Sequence, residues 1–265
     1  MEELIEFARE LALHSGKLIR GYFEEALAGG GPAVMRKADR SPVTKADREA
    51  EAMMRGMIRE RFPDHQVLGE EGGSDGPAQA DYRWILDPID GTKSFIHGVP
   101  LFGTLIALVE RGTPVIGVIN LPATGEMMIG ARDRPTTVNG RPVRVRETAR
   151  LSEATVLFTD LPNMTGLGHG PALEALGREV ELMRGWGDCY GHFLVAAGRA
   201  DAMIDPELNL WDVAALKPCV EGAGGRLTDL AGVDTGLGES ALSTNGLLHD
   251  RLLERLKRPL NPPEI

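Results

Sequence analysis

The 265-residue sequence predicts a layered α/β fold, and three observations carry that prediction. Beyond about residue 150, strand-like segments (ATVLFTD, EVELMRG, ADAMIDP, GRLTDL) alternate with helix-like ones (CYGHFLVAAG, WDVAALKPCVEGAG, LLHDRLLERLKR), the rhythm of helices packed on a sheet. From Phe102 to Val145, short apolar runs are broken by ERGTP, PATGE and VNGRP, the punctuation of an antiparallel meander. The chain opens on an amphipathic segment of helical period.

Taken in order, the first element is a helix in which Leu4, Ala8, Leu11, Leu18 and Tyr22 recur on one face. Its start is acidic, unlike the basic start of a signal peptide. GGGP (Gly29 to Pro32) ends it, and polar VMRKADRSPV reads as a loop. A second helix begins at Thr44 and turns Ala50, Met53, Met54, Met57 and Ile58 inward until FPDH stops it. QVLGEEGG and YRWILDP follow as strands ending in glycine or acidic turns, and then comes the meander. Pro259, Pro262 and Pro263 mark a terminal tail, and there is no internal repeat.

Composition narrows the function classes. A net charge of -10 argues against sequence-independent binding of nucleic acid or anionic membrane, since both attract Lys/Arg surfaces. The longest apolar run, Leu101 to Val109, is too short to span a bilayer and is interrupted by Gly103. Cys189 and Cys219 sit in separate segments without metal-ligand spacing, which reads as reduced thiols in a cytoplasmic protein.

The chemistry is concentrated in carboxylates at the ends of core elements. In WILDPIDGT (Trp84 to Thr92) an apolar strand delivers Asp87 and Asp90, with Pro88 stiffening the turn between them. Two carboxylates so close repel unless a positive charge lies between them. Glu70 and Glu71 follow QVLG, and Asp212 opens an apolar helix in LWDVAA. Converging carboxylates with no neighbouring histidine or thiolate make a hard, all-oxygen site suited to Mg²⁺ or Mn²⁺. Two such ions sharing a carboxylate serve a phosphoryl transfer to water. Gly91, Thr92 and Lys93 add backbone N–H groups where a helix begins, a place for an anion.

GEE, then DPIDGT, then WDVAA, in that order along essentially the whole chain, resemble the inositol monophosphatase superfamily of Mg²⁺-dependent, lithium-sensitive phosphatases. The resemblance implies a layered alpha-beta-alpha-beta-alpha sandwich of the inositol monophosphatase / fructose-1,6-bisphosphatase type. It also implies an N-terminal α+β half (1–148) and a C-terminal α/β half (149–265), a homodimer, and two to three Mg²⁺ per site. One metal would take Glu70, Asp87 and the Ile89 carbonyl; the other would take Asp87, Asp90 and Asp212. Gly91 and Thr92 would hold the phosphate. Asp47, in VTKAD, would help Thr92 orient the attacking water and assist a third metal, although Thr44-x-x-Asp47 is equally a capping-box pattern. Lys37 matches a lysine that the family brings near its site.

RGWGDCYGHFLVAAGRADAMIDP, WDVAALKPCVEGAGGRLTDLAG and RPTTVNGRPVRV resemble the histidinol-phosphate phosphatase branch, with Gly-Asp-Cys-Tyr the most telling element. The implied reaction is hydrolysis of L-histidinol phosphate, a small phosphate monoester, in histidine biosynthesis. Histidinol phosphate presents an amine and an imidazole, both able to be cationic. Asp188, with Asp205 and Asn209, would favour it over a neutral inositol phosphate by charge-assisted hydrogen bonds. Asp188 also reads as a helix cap, and Tyr190 and His192 as packing residues. Thr159 to Gly170 resembles nothing assignable. The enzymatic alternative is an inositol-1-phosphate phosphatase. The alternative of another class is an interaction protein on a phosphatase fold, for which RPVRVRETAR (Arg141 to Arg150) offers the basic segment.

Overall fold

The computed structural model describes residues 1–29, 34–36 and 42–257; Lys37 and the Pro259–Pro263 tail lie outside them. Helix α1 (Glu2–Gly29) buries Phe7, Ala8, Leu11, Ala12, Ile19 and Phe23. Leu4, Leu18 and Tyr22 lie half-buried at the margin, so the inward stripe is rotated slightly from the predicted one. Two short antiparallel strands, β1 (Val34–Arg36) and β2 (Pro42–Thr44), stand where the sequence reads as loop. Helix α2 (Lys45–Arg61) buries Ala46, Ala50, Met54 and Ile58, with Met53 and Met57 half-buried. It also buries Asp47, Glu51 and Arg55, one helical turn apart.

The first sheet comprises β3 (Gln66–Gly69), β4 (Gly73–Asp75), β5 (Tyr82–Asp90), β6 (Gly103–Glu110), β7 (Thr113–Leu121), β8 (Glu126–Ala131), β9 (Thr137–Val138) and β10 (Arg141–Pro142), in the order β10-β9-β8-β7-β6-β5-β3-β4. Only β3 and β5 are parallel, so the predicted meander is present. A short helix, α3 (Thr92–Ile96), joins β5 to β6. Trp84, Leu86, Ile106 and Leu108 face α1 and α2, while Ile85, Leu105, Ala107 and Val109 face the other way. Burial on both faces makes these strands read as unbroken apolar runs.

In the second half, β11 (Thr155–Phe158) leads into α4 (Leu161–Gly166) and α5 (Gly170–Glu179), both within the unassigned segment or just past it. There follow β12 (Leu182–Arg184), α6 (Asp188–Ala196), β13 (Ala202–Asp205), α7 (Leu210–Val213), α8 (Leu216–Gly222), β14 (Arg226–Thr228), β15 (Ala241–Thr244) and α9 (His249–Lys257). The five strands form a mixed sheet, β12-β11-β13-β15-β14. WDVAALKPCVEGAG, predicted as one helix, is two. Pro218 has no N–H for the Ala214 carbonyl and its ring crowds that carbonyl, so the helix breaks there.

Helices α6 and α8 lie between the sheets: Phe193, Leu216, Cys219 and Val220 pack on Leu105, Ile119 and Met128, and Leu194 and Val195 on Leu157 and Met203. Leu173, Leu176, Leu252 and Leu256, from α5 and α9, cover the outer face of the second sheet. The result is the five-layer αβαβα sandwich. Gly117 and Gly130 face each other in register on β7 and β8. A Cβ on Gly117 would stand 2.0 Å from the Ala215 carbonyl oxygen, and one on Gly130 would stand 2.3 Å from that of Pro218. This bare stripe lets α8 approach the sheet. No described helix is long and apolar enough to cross a membrane.

Candidate active site

Residues three apart on a regular strand point to opposite faces. Asp87 and Asp90 escape that rule through a bulge. Asp87 pairs with Leu105 and Asp90 with Gly103, leaving Pro88 and Ile89 opposite Thr104 alone. The extra residue turns Asp90 back to the side of Asp87, and Thr104 Oγ1 donates to the freed Pro88 carbonyl at 2.9 Å. Asp212 arrives from α7, which packs on β5 and β6. Its Oδ2 accepts from Asn209 N at 2.6 Å and from Asn209 Nδ2 at 3.3 Å, so Asn209, which also lines the cleft, orients this carboxylate. One carboxylate oxygen from each of Asp87, Asp90 and Asp212 lies within 4.8 Å of the others.

These groups line a cleft of about 760 Å³ together with Glu70, Ile89, Gly91, Thr92, Asp188 and Asp205. The backbone N–H of Glu70 donates to Leu86 O at 3.2 Å, which sets it beside Asp87. Burial, then the charges of Glu70, Asp90 and Asp212, push the Asp87 carboxyl well above the usual carboxylate range. Burial and the charges of Asp188 and Asp212 do the same to Asp90, although Cys189 N–H donates to its Oδ2. Asp87 Oδ1 is buried with no hydrogen-bond partner among the described residues. An orphaned carboxylate oxygen inside an all-oxygen acidic trio is the donor set of a hard divalent cation, so Mg²⁺ or Mn²⁺ fits these residues. Thr92 Oγ1 donates to the Ile89 carbonyl at 2.9 Å, and that oxygen keeps a second lone pair for a further partner.

Another wall of the cleft comes from the second half. Asp188 is not the cap of α6; Gly187 holds that position, and Asp188 is the first helical residue, with φ of 54°. Its backbone N–H donates to Thr159 Oγ1 at 3.1 Å. Gly91 takes φ of 81°, where other side chains are strained, and a Cβ there would lie 3.0 Å from the Leu101 carbonyl oxygen and 3.2 Å from Asp188 Oδ2, so this carboxylate comes close to the start of α3. Burial pushes Asp188 up to about 6, against the pull of Lys93. Asp205, at the end of β13, is pushed well above its ordinary value by burial, and accepts from Thr159 Oγ1 at 2.7 Å. Tyr190 packs as predicted, but His192 lines the cleft. Its Nδ1 is 2.7 Å from Ser243 Oγ, its Nε2 is 4.0 Å from Asp205 Oδ2, and burial lowers it to about 3, so it is neutral.

Asp47 stands apart from this cleft lining. Its Oδ2 accepts from Thr44 N at 2.8 Å and from Thr44 Oγ1 at 2.6 Å, a capping box, and no hydrogen bond to Thr92 is present among the described residues. Burial, aided by the charges of Glu71 and Glu70, still pushes it up to about 6. The unassigned segment supplies Thr159 and Asp160 to the cleft. Asp160 caps α4 by accepting from Asn163 N at 3.1 Å and meets Lys93 Nζ at 3.4 Å across the mouth. An Asp two residues before Pro162 is a helix-start signal that was available in the sequence. The basic segment disperses: Arg146 pairs with Asp201 and Arg150 with Glu153.

The sequence model of the Inositol monophosphatase family matches residues 1–259. The chain is similar to a histidinol-phosphatase of Chlorobaculum parvum, 42% identical over 250 residues, covering 94% of this chain and 95% of that one. It is similar to a histidinol-phosphatase of Mycobacterium tuberculosis, 43% identical over 226 residues, with 83% and 86% covered. Among solved structures, an inositol monophosphatase from Zymomonas mobilis superposes with a TM-score of 0.84 at 34% identity, covering 97% and 98% of the two chains.

Proposed function

The chain belongs to the inositol monophosphatase family, a family of metal-dependent phosphatases of small phosphate esters, and from that premise we propose that it hydrolyses L-histidinol phosphate to L-histidinol and phosphate, as a step of histidine biosynthesis. The observation that carries the reading is the Asp188 carboxylate, half-buried on the cleft wall beside Gly91 with the buried Asp205 beyond it. A neutral polyol gives these carboxylates nothing to neutralise them, whereas an ammonium or imidazolium does. The two similar histidinol-phosphatases support the same choice.

In this reading residues 1–148 carry most of the metal chemistry and residues 149–265 add Asp212 and the selectivity. Glu70, Asp87 and the Ile89 carbonyl hold one Mg²⁺, and Asp87, Asp90 and Asp212 hold a second. Bound there, the ions supply the Lewis acidity that lowers the pKa of water and neutralises the leaving oxygen. Gly91 and Thr92 orient the phosphate through their N–H groups. Thr92 orients the attacking water, with Asp47 proposed to assist from behind although its hydrogen bonds go to Thr44, and Asp188 and Asp205 accept hydrogen bonds from the amine or the imidazole.

Phosphate release with Mg²⁺ from histidinol phosphate, inositol 1-phosphate and an adenosine bisphosphate, side by side, tests the reading. Wild type prefers histidinol phosphate. Asp188→Asn loses a charge-assisted hydrogen bond of roughly 1.5–3 kcal/mol, so kcat/KM falls about 10- to 100-fold on that substrate alone. Preference of the wild type for inositol 1-phosphate, the activity of the alternative reading, sinks the histidinol assignment and leaves the phosphatase chemistry standing.

A further inference from the structure

Glu51 and Arg55, four residues apart on α2, are buried charges that the reaction described so far does not use. Their partners lie in one place. Glu51 Oε2 accepts from Glu71 N at 2.8 Å, and Oε1 accepts from Gly72 N at 2.8 Å and from Arg55 Nε at 2.7 Å. Arg55 Nη2 donates to the Gly73 carbonyl. Three consecutive residues after Glu70 are therefore tied to the helix, two by N–H and one by C=O. On its other side Glu70 is tied by its own N–H to Leu86 O, next to Asp87.

The loop is shaped to the carboxylate. A Cβ on Gly69 would stand 2.4–2.6 Å from the Glu51 carboxylate, and one on Gly72 would stand 2.9 Å from Glu51 Oε1 and 3.0 Å from Arg55 Nε. The glycines flank Glu70 on both sides and leave room for this one charged group. A buried ion pair is weak as a source of stability, because desolvating both charges offsets their attraction. Its yield here is geometry: one backbone position, that of Glu70, is fixed from both directions.

We propose that Glu51, held by Arg55, is a positioning residue that sets the Glu70–Gly72 loop so that the Glu70 carboxylate reaches the metal beside Asp87. The inference rests on Glu70 being a ligand. Helix α2 then serves the site at three successive turns: Asp47 at its start, Glu51 under the loop, and Arg55 beneath both.

The test is Mn²⁺ binding, read by the spin-resonance signal of free Mn²⁺, on wild type, Glu51→Gln, Glu51→Asp and Gly72→Ala, each first checked for a cooperative melt. Glu51→Gln sets an amide N–H₂ against the loop's own donors, and the Mn²⁺ dissociation constant rises about 10- to 100-fold, as for other residues that orient metal ligands. Amides 71 and 72 exchange faster with solvent. Activity returns when Mg²⁺ is raised, so the half-saturating Mg²⁺ shifts more than kcat. Glu51→Asp keeps the charge and recovers part of the loss. Gly72→Ala disturbs the same contact from the loop side without removing a buried charge, and shifts affinity in the same direction. If both Glu51→Gln and Gly72→Ala bind Mn²⁺ as tightly as wild type, Glu51 serves only the fold and the inference is overturned. If wild type itself binds no Mn²⁺, it is the metal reading that fails.

Discussion

Asp47 is the residue on which capping and catalysis compete most directly. Both Thr44 bonds end on Oδ2 and close the capping box of α2, and the charges of Glu70 and Glu71 still bear on the carboxyl. The N-cap is Thr44, and Asp47 at the third helical position accepts from its N–H, a bond serine is too short to keep, so Asp47→Ser costs about 1–3 kcal/mol of stability. If Asp47 helps orient the water, the rate also drops roughly 10²–10⁴-fold. Steady-state rates beside a thermal melt separate the two; a fully active Asp47→Ser enzyme leaves only the cap. Residues of this kind differ in how far sequence reveals them. The DPIDG turn and WDVAA announced Asp87, Asp90 and Asp212, because acids at the ends of apolar runs have few other reasons to be there. Glu51 and Arg55 gave no signal, since charges spaced four apart on a helix normally mark its wet face. Asp188 was legible as an acid at a helix start, but its left-handed backbone, which turns the side chain into the cleft, was not.

Among elements, those with a clear period were legible and the short ones were not. The meander showed itself through ERGTP and VNGRP, where Arg111–Gly112 and Asn139–Gly140 all take positive φ. Strand β15 is four buried residues without alternation, and α4 and α5 are parted by Gly168, so neither carried a readable period. The sequence also concealed how closely α8 lies on β7 and β8, which depends on the facing Gly117 and Gly130. Gly130→Ala forces α8 outward and lowers stability by about 1–3 kcal/mol or more. Activity falls with it, because α7, which bears Asp212, leads straight into α8. Gly56→Ala is the control: nothing lies within 4 Å of its Cβ on α2, and the change raises stability by about 0.5–1 kcal/mol. Equal melting temperatures for the Gly130→Ala and wild-type proteins would refute the close-approach account.

For the molecule as a whole, metal, protons and fold are linked. Asp87, Asp90, Asp188 and Asp205 all have carboxyls raised by burial, Asp188 to about 6. The folded state thus holds more protons than the unfolded chain between the ordinary carboxylate value and these raised ones. The stability these groups contribute to the metal-free protein is present at low pH and lost as pH climbs through that window. His192 acts in the opposite sense: neutral when buried, its contribution is present above its ordinary value of 6.5 and is lost as pH falls towards about 3. Divalent cations relieve the carboxylates, and protons compete with them for the same oxygens. The rise in melting temperature on adding Mg²⁺ to chelator-treated protein is therefore large near about pH 8 and small near about pH 5, while activity vanishes in excess chelator. A Mg²⁺ increment that is the same at both pH values would contradict this linkage. The largest apolar cluster has a different consequence, one for biosynthesis. It joins Leu105, Ile119 and Met128 to Phe193, Leu216 and Val220. A ribosome that has delivered the first sheet has thus delivered a broad greasy face whose cover is still untranslated, and the nascent chain must stay shielded, by the exit tunnel or a chaperone, until α8 emerges. Stopping translation at residue 148 yields an aggregating fragment rather than a smaller protein, which sedimentation of the 1–148 fragment would reveal.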